Sequence, residues 1–348
     1  MNNHPKKPVF TLSMILLLTL ILVLSLANLW LGSVSIPWEE VVSAVFGHAS
    51  LPRTSIIIWE YRMPQVFTAI AVGMGLSVSG LLLQTVFRNP LAGPSVLGIS
   101  SGASLGVALV VLAGSAFGMD VFNSTVMLND MAVVVAAFAG ALVVMAIILF
   151  VSGKIGNVVT VLIIGIMLGY AVSAIVGILQ FFSGTEELHA YVLWGLGSFA
   201  KNSLIRSEII FLVTLLLATS TIFIALPLNA MLLGESYARS LGFNLKRYNT
   251  IILLIAGFLI ALGTAFTGPI AFLGLAVPHL ARAWFNTSNH KVLIPATLLI
   301  GADLALLCNL IARLPGYDTT LPINAVTSMI GAPVVIWVII KRSKIKVA

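Results

Sequence analysis

The sequence predicts an all-α polytopic membrane protein with about ten transmembrane helices. Of its 348 residues, 59% are hydrophobic and 8% are charged, and the mean hydropathy is +1.12. Apolar runs of roughly 20 residues are long enough to cross a bilayer as helices. In lipid the backbone must pair all of its polar groups internally, which leaves helices or closed barrels. The runs are continuous rather than alternating, so we expect helices.

Ten apolar runs mark the predicted spans, all within a single transmembrane domain that covers residues 1–348. The first run follows the basic sequence MNNHPKKP and is too long for the core of a typical signal peptide, so we expect a retained span. The predicted spans are 9–31, 64–86, 94–113, 131–152, 157–181, 205–226, 250–267, 269–285, 292–312 and 322–340.

The basic residues predict which side of the membrane each loop faces. If the N-terminus is cytosolic, five of the 18 basic residues lie outside and the rest lie inside. Cytosolic loops carry an excess of Lys and Arg, so this bias supports the span count and the orientation. We expect a multi-pass protein of the inner (cytoplasmic) membrane with both termini in the cytosol. The outside residues are Arg53, Arg62, Lys201, Arg206 and Arg313.

The stretch 227–249 is the longest interval between spans that is both polar and strongly basic. Gly234 divides it into two short helical pieces, and Gly242 is a natural helix stop. Glu235 suits the positive end of the second helix, and Arg239 follows in the favourable order for an ion pair. The pattern fits either a solvated loop or a docking site for a cytosolic partner. The predicted pieces are Leu228–Leu233 and Ser236–Leu241.

No catalytic or cofactor-binding motif is recognisable in the sequence. A phosphate-binding loop is excluded because the only Gly–Lys pair, Gly153–Lys154, is followed by Ile155. The five histidines are dispersed, and none has a metal-ligand spacing with Cys308. The net charge of +7 follows from membrane topology rather than from nucleic-acid binding. We predict no enzyme activity, cofactor, metal site or nucleic-acid partner.

Asp303 is the one acid predicted to lie within a span. A charge at the bilayer centre costs roughly 2.5–3.5 kcal/mol on insertion scales, so its side chain should face protein or water. Two interpretations stay open at this point. The residue is either a proton or ion site, or a carboxyl group that is paired inside the helix bundle or near the interface.

Four ordered blocks of residues stand out along the chain. They are Arg62–Met63–Pro64, Ser79–Gly80, Gln84, Arg88–Pro94, Leu97–Gly98 and Gly102–Ala103; Leu233–Gly234–Glu235, Ala238 and Leu241–Gly242; Gly268–Leu275, Pro278–His279 and Arg282; and Ala312–Arg313, Leu321–Pro322–Ile323 and Gly331–Ala332–Pro333. From about Glu60 to Lys341 the chain resembles the membrane permease of iron–siderophore, haem and cobalamin importers driven by ATP-binding cassettes.

The resemblance implies two permease subunits around one pathway and two cytosolic ABC ATPases docked on the segment 228–242 as coupling helices. An extracytoplasmic substrate-binding protein would deliver the cargo and contact Arg62 and Arg313, although Arg62 also fits an interfacial anchor. The implied coupling residues are Leu233, Gly234, Glu235, Ala238, Arg239, Leu241 and Gly242. The resemblance also implies residues that line the pathway or pack helices, and these are Gly80, Gln84, Asn89, Pro90, Gly98, Gly102, Pro278 and His279.

The sequence departs from this family pattern near the predicted outer mouth and the pathway. Gln65 stands where arginine is frequent, and Asn309 where aspartate is frequent. Thr320 replaces the glutamate that precedes Leu–Pro, and Asn324 replaces the glycine that follows. These departures leave the identity of the chelate open and do not touch the coupling segment.

We therefore expect the pathway-forming subunit of an ATP-driven importer of an intact metal chelate. Ferric siderophore is the first expectation, and haem and cobalamin are alternatives within the same architecture. Two rivals come from other classes: an ion-driven secondary transporter that uses Asp303, and a passive channel. The secondary transporter requires the acid, whereas the ATP-driven importer requires the coupling segment.

Overall fold

The structure is a computed structural model that describes residues 7–48, 51–113, 126–155, 157–313 and 319–345. Every regular element within these ranges is a helix, which confirms the predicted all-α class. A π-helical segment, Ile57–Arg62, and two 3-10 segments, Pro94–Leu97 and Thr221–Ile224, adjoin the α-helices. The α-helices are α1 (Lys7–Trp30), α2 (Trp38–Val45), α3 (Pro52–Ile56), α4 (Met63–Val86), α5 (Ile99–Val111), α6 (Val126–Ile155), α7 (Val158–Phe182), α8 (Thr185–Gly195), α9 (Leu204–Ser220), α10 (Ala225–Leu232), α11 (Glu235–Ser240), α12 (Leu245–Thr267), α13 (Leu273–Phe285), α14 (His290–Ala312) and α15 (Ile323–Ile345).

All ten predicted spans coincide with helices. In the described residues, seven helical segments are long and apolar enough to cross a membrane, and α5, α13 and α15 occupy the other three predicted spans. Both chain termini, which we predicted to be cytosolic, lie outside the described residues. The seven segments are Phe10–Trp30, Pro52–Val86, Asp130–Ile155, Val158–Phe182, Leu204–Leu232, Leu245–Thr267 and His290–Ala312.

The helices α5 and α13 begin several residues later than the spans predicted there. Each follows a residue with positive φ, which is 71° at Gly98 and 66° at Phe272. Such a residue cannot continue a right-handed helix, so both helices have only 13 residues. For Phe272 this conformation is strained. Gly331 leaves room for it, because a Cβ there would overlap the Phe272 side chain.

The chain forms two compact units, each built from separate stretches of sequence. The first comprises Met1–Leu81, Ser198–Leu226 and Ala271–Ala348, and the second comprises Leu82–Gly197 and Pro227–Ile270. In the first unit α14 packs against α1, α13 and α15, and its residue Cys308 is fully buried. In the second unit α5 packs against α6 and α7, and α6 also contacts α12.

Glycines allow the helices within each unit to approach to backbone contact. A Cβ at Gly98 would lie 2.8 Å from a carbonyl oxygen of α7, and one at Gly102 would lie 2.5 Å from that of Gly140. In the first unit a Cβ at Gly80 would overlap the carbonyl group of Gly274. A larger residue at these positions would push the helices apart, so these glycines serve close packing.

Candidate functional site

The stretch between the sixth and seventh predicted spans contains two short helices, α10 and α11. Each begins one or a few residues earlier than we predicted, since α10 starts at Ala225 and α11 starts at Glu235. Gly234 joins them with φ 118° and ψ 155°, a conformation essentially restricted to glycine. Gly242, with φ 85°, follows α11 and lets the chain turn away. Both glycines are therefore required by the backbone of this segment.

Glu235 forms ion pairs with two arginines. Its Oε2 is 3.5 Å from Nη2 of Arg239, the pair that sequence spacing predicted, and its Oε1 is 3.3 Å from Nη2 of Arg88. Arg88 lies in the turn after α4 with φ 47°, so this second pair connects α11 to another helix end. Sequence reasoning missed it. The available signal was charge, because Glu235 is an isolated acid on the side predicted to be basic.

The same segment exposes a set of large apolar side chains. Leu233, Tyr237 and Leu241 are 69%, 47% and 53% exposed. Ala238, in the same short helix, is fully buried. The segment is therefore anchored through Ala238, while its larger apolar side chains remain exposed.

A cavity of about 230 Å³ lies beside α11. Glu235 and Arg239 form part of its lining, together with the ends of four predicted spans. We predicted all four of these ends to lie on the same side of the membrane, and the structure brings them together within the second unit. These ends contribute Val86 from α4, Ser152 from α6, Val158 from α7 and Asn249 from α12.

Arg62, predicted to contact a binding protein, is 5% exposed. It ends the π-helical segment, and its side chain reaches the C-terminal end of α1. Its Nη1 donates to the carbonyl oxygens of Leu29 and Trp30, each at 2.7 Å, and its Nη2 donates to that of Val34 at 2.6 Å. The last carbonyl groups of a helix have no partner within the helix. Arg62 satisfies two of them, and its positive charge suits the negative end of the helix dipole.

Arg313 lies at the same helix end and is 8% exposed. It donates to the carbonyl oxygen of Asn28 at 2.5 Å, and its Nε donates to Oε1 of Gln65 at 2.7 Å. Burial, and secondarily the charge of Arg62, lower the pKa of Arg313 to about 10. Both arginines therefore use their donors inside the first unit.

Known proteins place this architecture among membrane transporters. The model of the FecCD transport family matches residues 18–341 of the chain. The chain belongs to the FecCD transport family. It is an integral membrane permease, and the described helices fit that class.

Two relatives of this FecCD chain carry the name vitamin B12 import system permease protein BtuC. Those of Escherichia coli O17:K52:H18 (strain UMN026 / ExPEC) and Shigella sonnei (strain Ss046) are each 31% identical over 337 residues, which is 96% of this chain and 94% of the relative. A metal-chelate type ABC transporter in an inward-facing conformation has a TM-score of 0.80 and 30% identity, covering 94% of this chain and 98% of its own.

A more distant structure supports the fold alone. PsaBC from Streptococcus pneumoniae, solved in complex with Fab, has a TM-score of 0.53 and 15% identity, covering 86% of this FecCD chain and 95% of its own.

Three of the departures from the FecCD pattern form hydrogen bonds within the first unit. Gln65 accepts from Arg313, and Asn309 donates through Nδ2 to Oδ1 of Asn28 at 2.9 Å. Asn324 accepts through Oδ1 from the backbone N–H of Ala271 at 3.0 Å. These neutral amides therefore take part in local packing. The fourth departure, Thr320, is exposed.

Of the remaining predicted site residues of this FecCD chain, two lie in the turn after α4 and three are buried. Asn89 accepts through Oδ1 from the backbone N–H of Leu91 at 2.9 Å and so holds the turn that carries Arg88. Pro90 is exposed in that turn. The other three residues are buried, and they are Gln84, Pro278 and His279.

Asp303 lies in α14 of the FecCD chain and is 6% exposed. Among the described residues, neither of its carboxylate oxygens has a hydrogen-bond partner. Buried polar groups are normally paired, so this acid is an exception, and an ordered water would supply the missing hydrogen-bond partner.

Proposed function

We propose that this chain is the membrane-spanning permease subunit of an ATP-driven importer of metal chelates. The observation that carries the proposal is the family match over residues 18–341, nearly the whole chain. The solved metal-chelate type ABC transporter, which shares 30% identity, supports the same assignment. The chain itself would make and break no bonds, and ATP hydrolysis would belong to a separate ATPase.

We propose that this ATPase docks on the cytosolic segment 228–242. The coupling surface formed by Leu233, Tyr237 and Leu241 offers it an apolar contact, and Glu235 ties α11 to the membrane helices. A conformational change needs a partner that binds the two states with different affinity. Nucleotide-dependent closure of the ATPase supplies that difference by moving α10 and α11. A second permease subunit would complete the pathway.

Delivery from outside by a substrate-binding protein is the third part of the proposal. The contact through Arg62 and Arg313 needs a rearrangement, because both side chains already donate to internal carbonyl groups. Acidic residues of a docked binding protein would have to replace those acceptors. Docking would then release the end of α1 as the binding protein is engaged.

Two chelates have comparable support as the cargo of this importer. The sequence resemblance led us first to ferric siderophore, whereas the curated relatives are permeases for vitamin B12, a cobalt chelate. The decisive experiment reconstitutes the chain with the ATPase and the binding protein of its importer. Uptake of labelled cobalamin, ferric siderophore and haem is then measured with and without ATP. Uptake by the permease alone, or without ATP, would contradict the proposal.

A substitution pair separates the ATP-driven importer from an ion-driven transporter. We expect Asp303→Asn to retain ATP-dependent uptake, because a neutral amide keeps the volume of the buried carboxyl group. Deletion of 234–242 should abolish uptake, since it removes α11 and the docking segment. Loss of uptake with Asp303→Asn at normal expression, together with activity of the deletion, would favour the ion-driven mechanism.

A further inference from the structure

The cavity beside α11 has an apolar floor and a charged rim. The floor is formed by buried side chains from three helix ends, whereas Arg239 and Lys246 at the rim are exposed. A site with this gradient suits a ligand that has an apolar part and a polar head. The floor residues are Val86, Phe87, Val161, Leu245 and Leu253.

The charges at the rim favour an anion. Glu235 is the acid in the lining, and its two oxygens are already engaged by Arg88 and Arg239. With Lys246 included, these four groups carry three positive charges and one negative charge. A negatively charged head would therefore be attracted, while Glu235 would keep its existing partners.

The polar lining also contains hydrogen-bonding capacity that the protein leaves unused. The side-chain oxygen of Asn249 is buried, and it has no hydrogen-bond partner in the described part of the chain. Ser152 lines the same cavity with a hydroxyl group that can donate or accept. A volume of about 230 Å³ equals roughly seven or eight waters at ~30 Å³ each, which is room for a head group but not for acyl chains.

We propose that this cavity binds the head group of an anionic phospholipid from the cytosolic leaflet. The phosphate lies between Arg239 and Lys246, and the hydroxyl group of Ser152 donates to it. A hydroxyl group of the lipid head donates to Oδ1 of Asn249, and the carbon atoms of the glycerol face the apolar floor. Basic pockets between membrane helices at the cytosolic surface bind such head groups. The inference rests on the proposed function only in placing α11 on the cytosolic side. An occupied site would bridge α11 and α12, so the lipid would influence coupling.

Native mass spectrometry of the detergent-purified full chain tests this assignment. Short-chain phosphatidylglycerol, phosphatidylcholine and inorganic phosphate are added separately to the wild-type chain. Lys246→Gln removes a rim charge, and Val161→Trp fills the floor. Lys291→Gln, an exposed lysine at the start of α14 in the other unit, is the matched control. The elution profile of each variant in size-exclusion chromatography checks folding, and Lys246→Gln carries the test if Val161→Trp does not fold.

We expect the wild-type chain to retain phosphatidylglycerol in preference to phosphatidylcholine. Lys246→Gln should weaken that binding about fivefold, the contribution of one basic residue near an anionic lipid surface, and Lys291→Gln should not. Equal retention of both lipids, or no effect of Lys246→Gln, would overturn the inference. Binding of inorganic phosphate as tight as that of the lipid would assign the site to a free anion instead and would also overturn it.

The outcome is separable from that of the proposed function. Lipid binding is measured on the permease alone, whereas the proposed function is tested by ATP-dependent uptake in the assembled importer. If added ATPase displaced the lipid, the cavity would be part of the docking site for that protein. The lipid assignment would then fail, while the importer assignment would stand.

Discussion

At the scale of single residues, Glu235 joins α11 to the turn after α4 through its ion pair with Arg88. We expect Glu235→Ala to lower ATP-dependent uptake strongly, because α11 loses its ion pair to Arg88. The fold should persist, since half-exposed ion pairs contribute about 0.2–1 kcal/mol. Uptake and thermal unfolding of the purified chain measure the two effects. If Arg88→Ala and the double variant lower uptake no further than Glu235→Ala, the pair acts as one unit.

Arg313, unlike Glu235, is buried, and its side chain donates hydrogen bonds to groups inside the protein. We expect Arg313→Ala to lower the free energy of unfolding by about 1–3 kcal/mol, the cost of leaving buried acceptors unpaired. The acceptors are the carbonyl oxygen of Asn28 and the amide oxygen of Gln65. Arg53→Ala, at an exposed arginine, is the control and should change stability by less than about 0.5 kcal/mol. Equal thermal stability of the two variants would contradict a capping role.

At the scale of elements, the joint between α10 and α11 depends on one backbone conformation. We expect Gly234→Ala to introduce strain of about 1–3 kcal/mol, because its φ of 118° with ψ 155° is nearly exclusive to glycine. The strain should appear as reduced uptake per ATP hydrolysed, since it alters the angle between the two helices. Gly153→Ala is the matched control, because a Cβ there meets no neighbour within 4 Å. Normal coupling in Gly234→Ala would show that the angle is not essential.

The elements also show where sequence patterns suffice and where they fail. Apolar length located ten spans that each contain a helix, because most spans must meet a fixed bilayer thickness. The late starts of α5 and α13 were missed, because each helix follows a residue with positive φ, Gly98 or Phe272. At Phe272 the sequence carries no local signal for that conformation.

For the candidate site, local patterns were informative and long-range contacts were not. Spacing predicted the pair of Glu235 with Arg239, four residues apart. The contact with Arg88 and the hydrogen bond between Asn28 and Asn309 join residues remote in sequence, so only the fold reveals them. The cavity likewise required the ends of four helices to be brought together.

At the scale of the whole molecule, the orientation in the membrane is the expectation on which the coupling proposal depends. We expect Ser240→Cys to react with a membrane-impermeant maleimide only when the cytosolic face is open, as in inverted vesicles. Ser240 is exposed at the end of α11, so access should be limited by sidedness alone. Labelling in intact cells would reverse the topology, and the ATPase could not then dock on this segment.

The burial of Cys308 has a practical consequence for following this transporter in motion. The chain has a single native thiol, and it is fully enclosed. Pairs of engineered cysteines can therefore receive spin labels or fluorophores in an otherwise wild-type background, without first removing the native sulfur. Distances between probes on α10 and α11 during turnover would then measure directly how far these helices move.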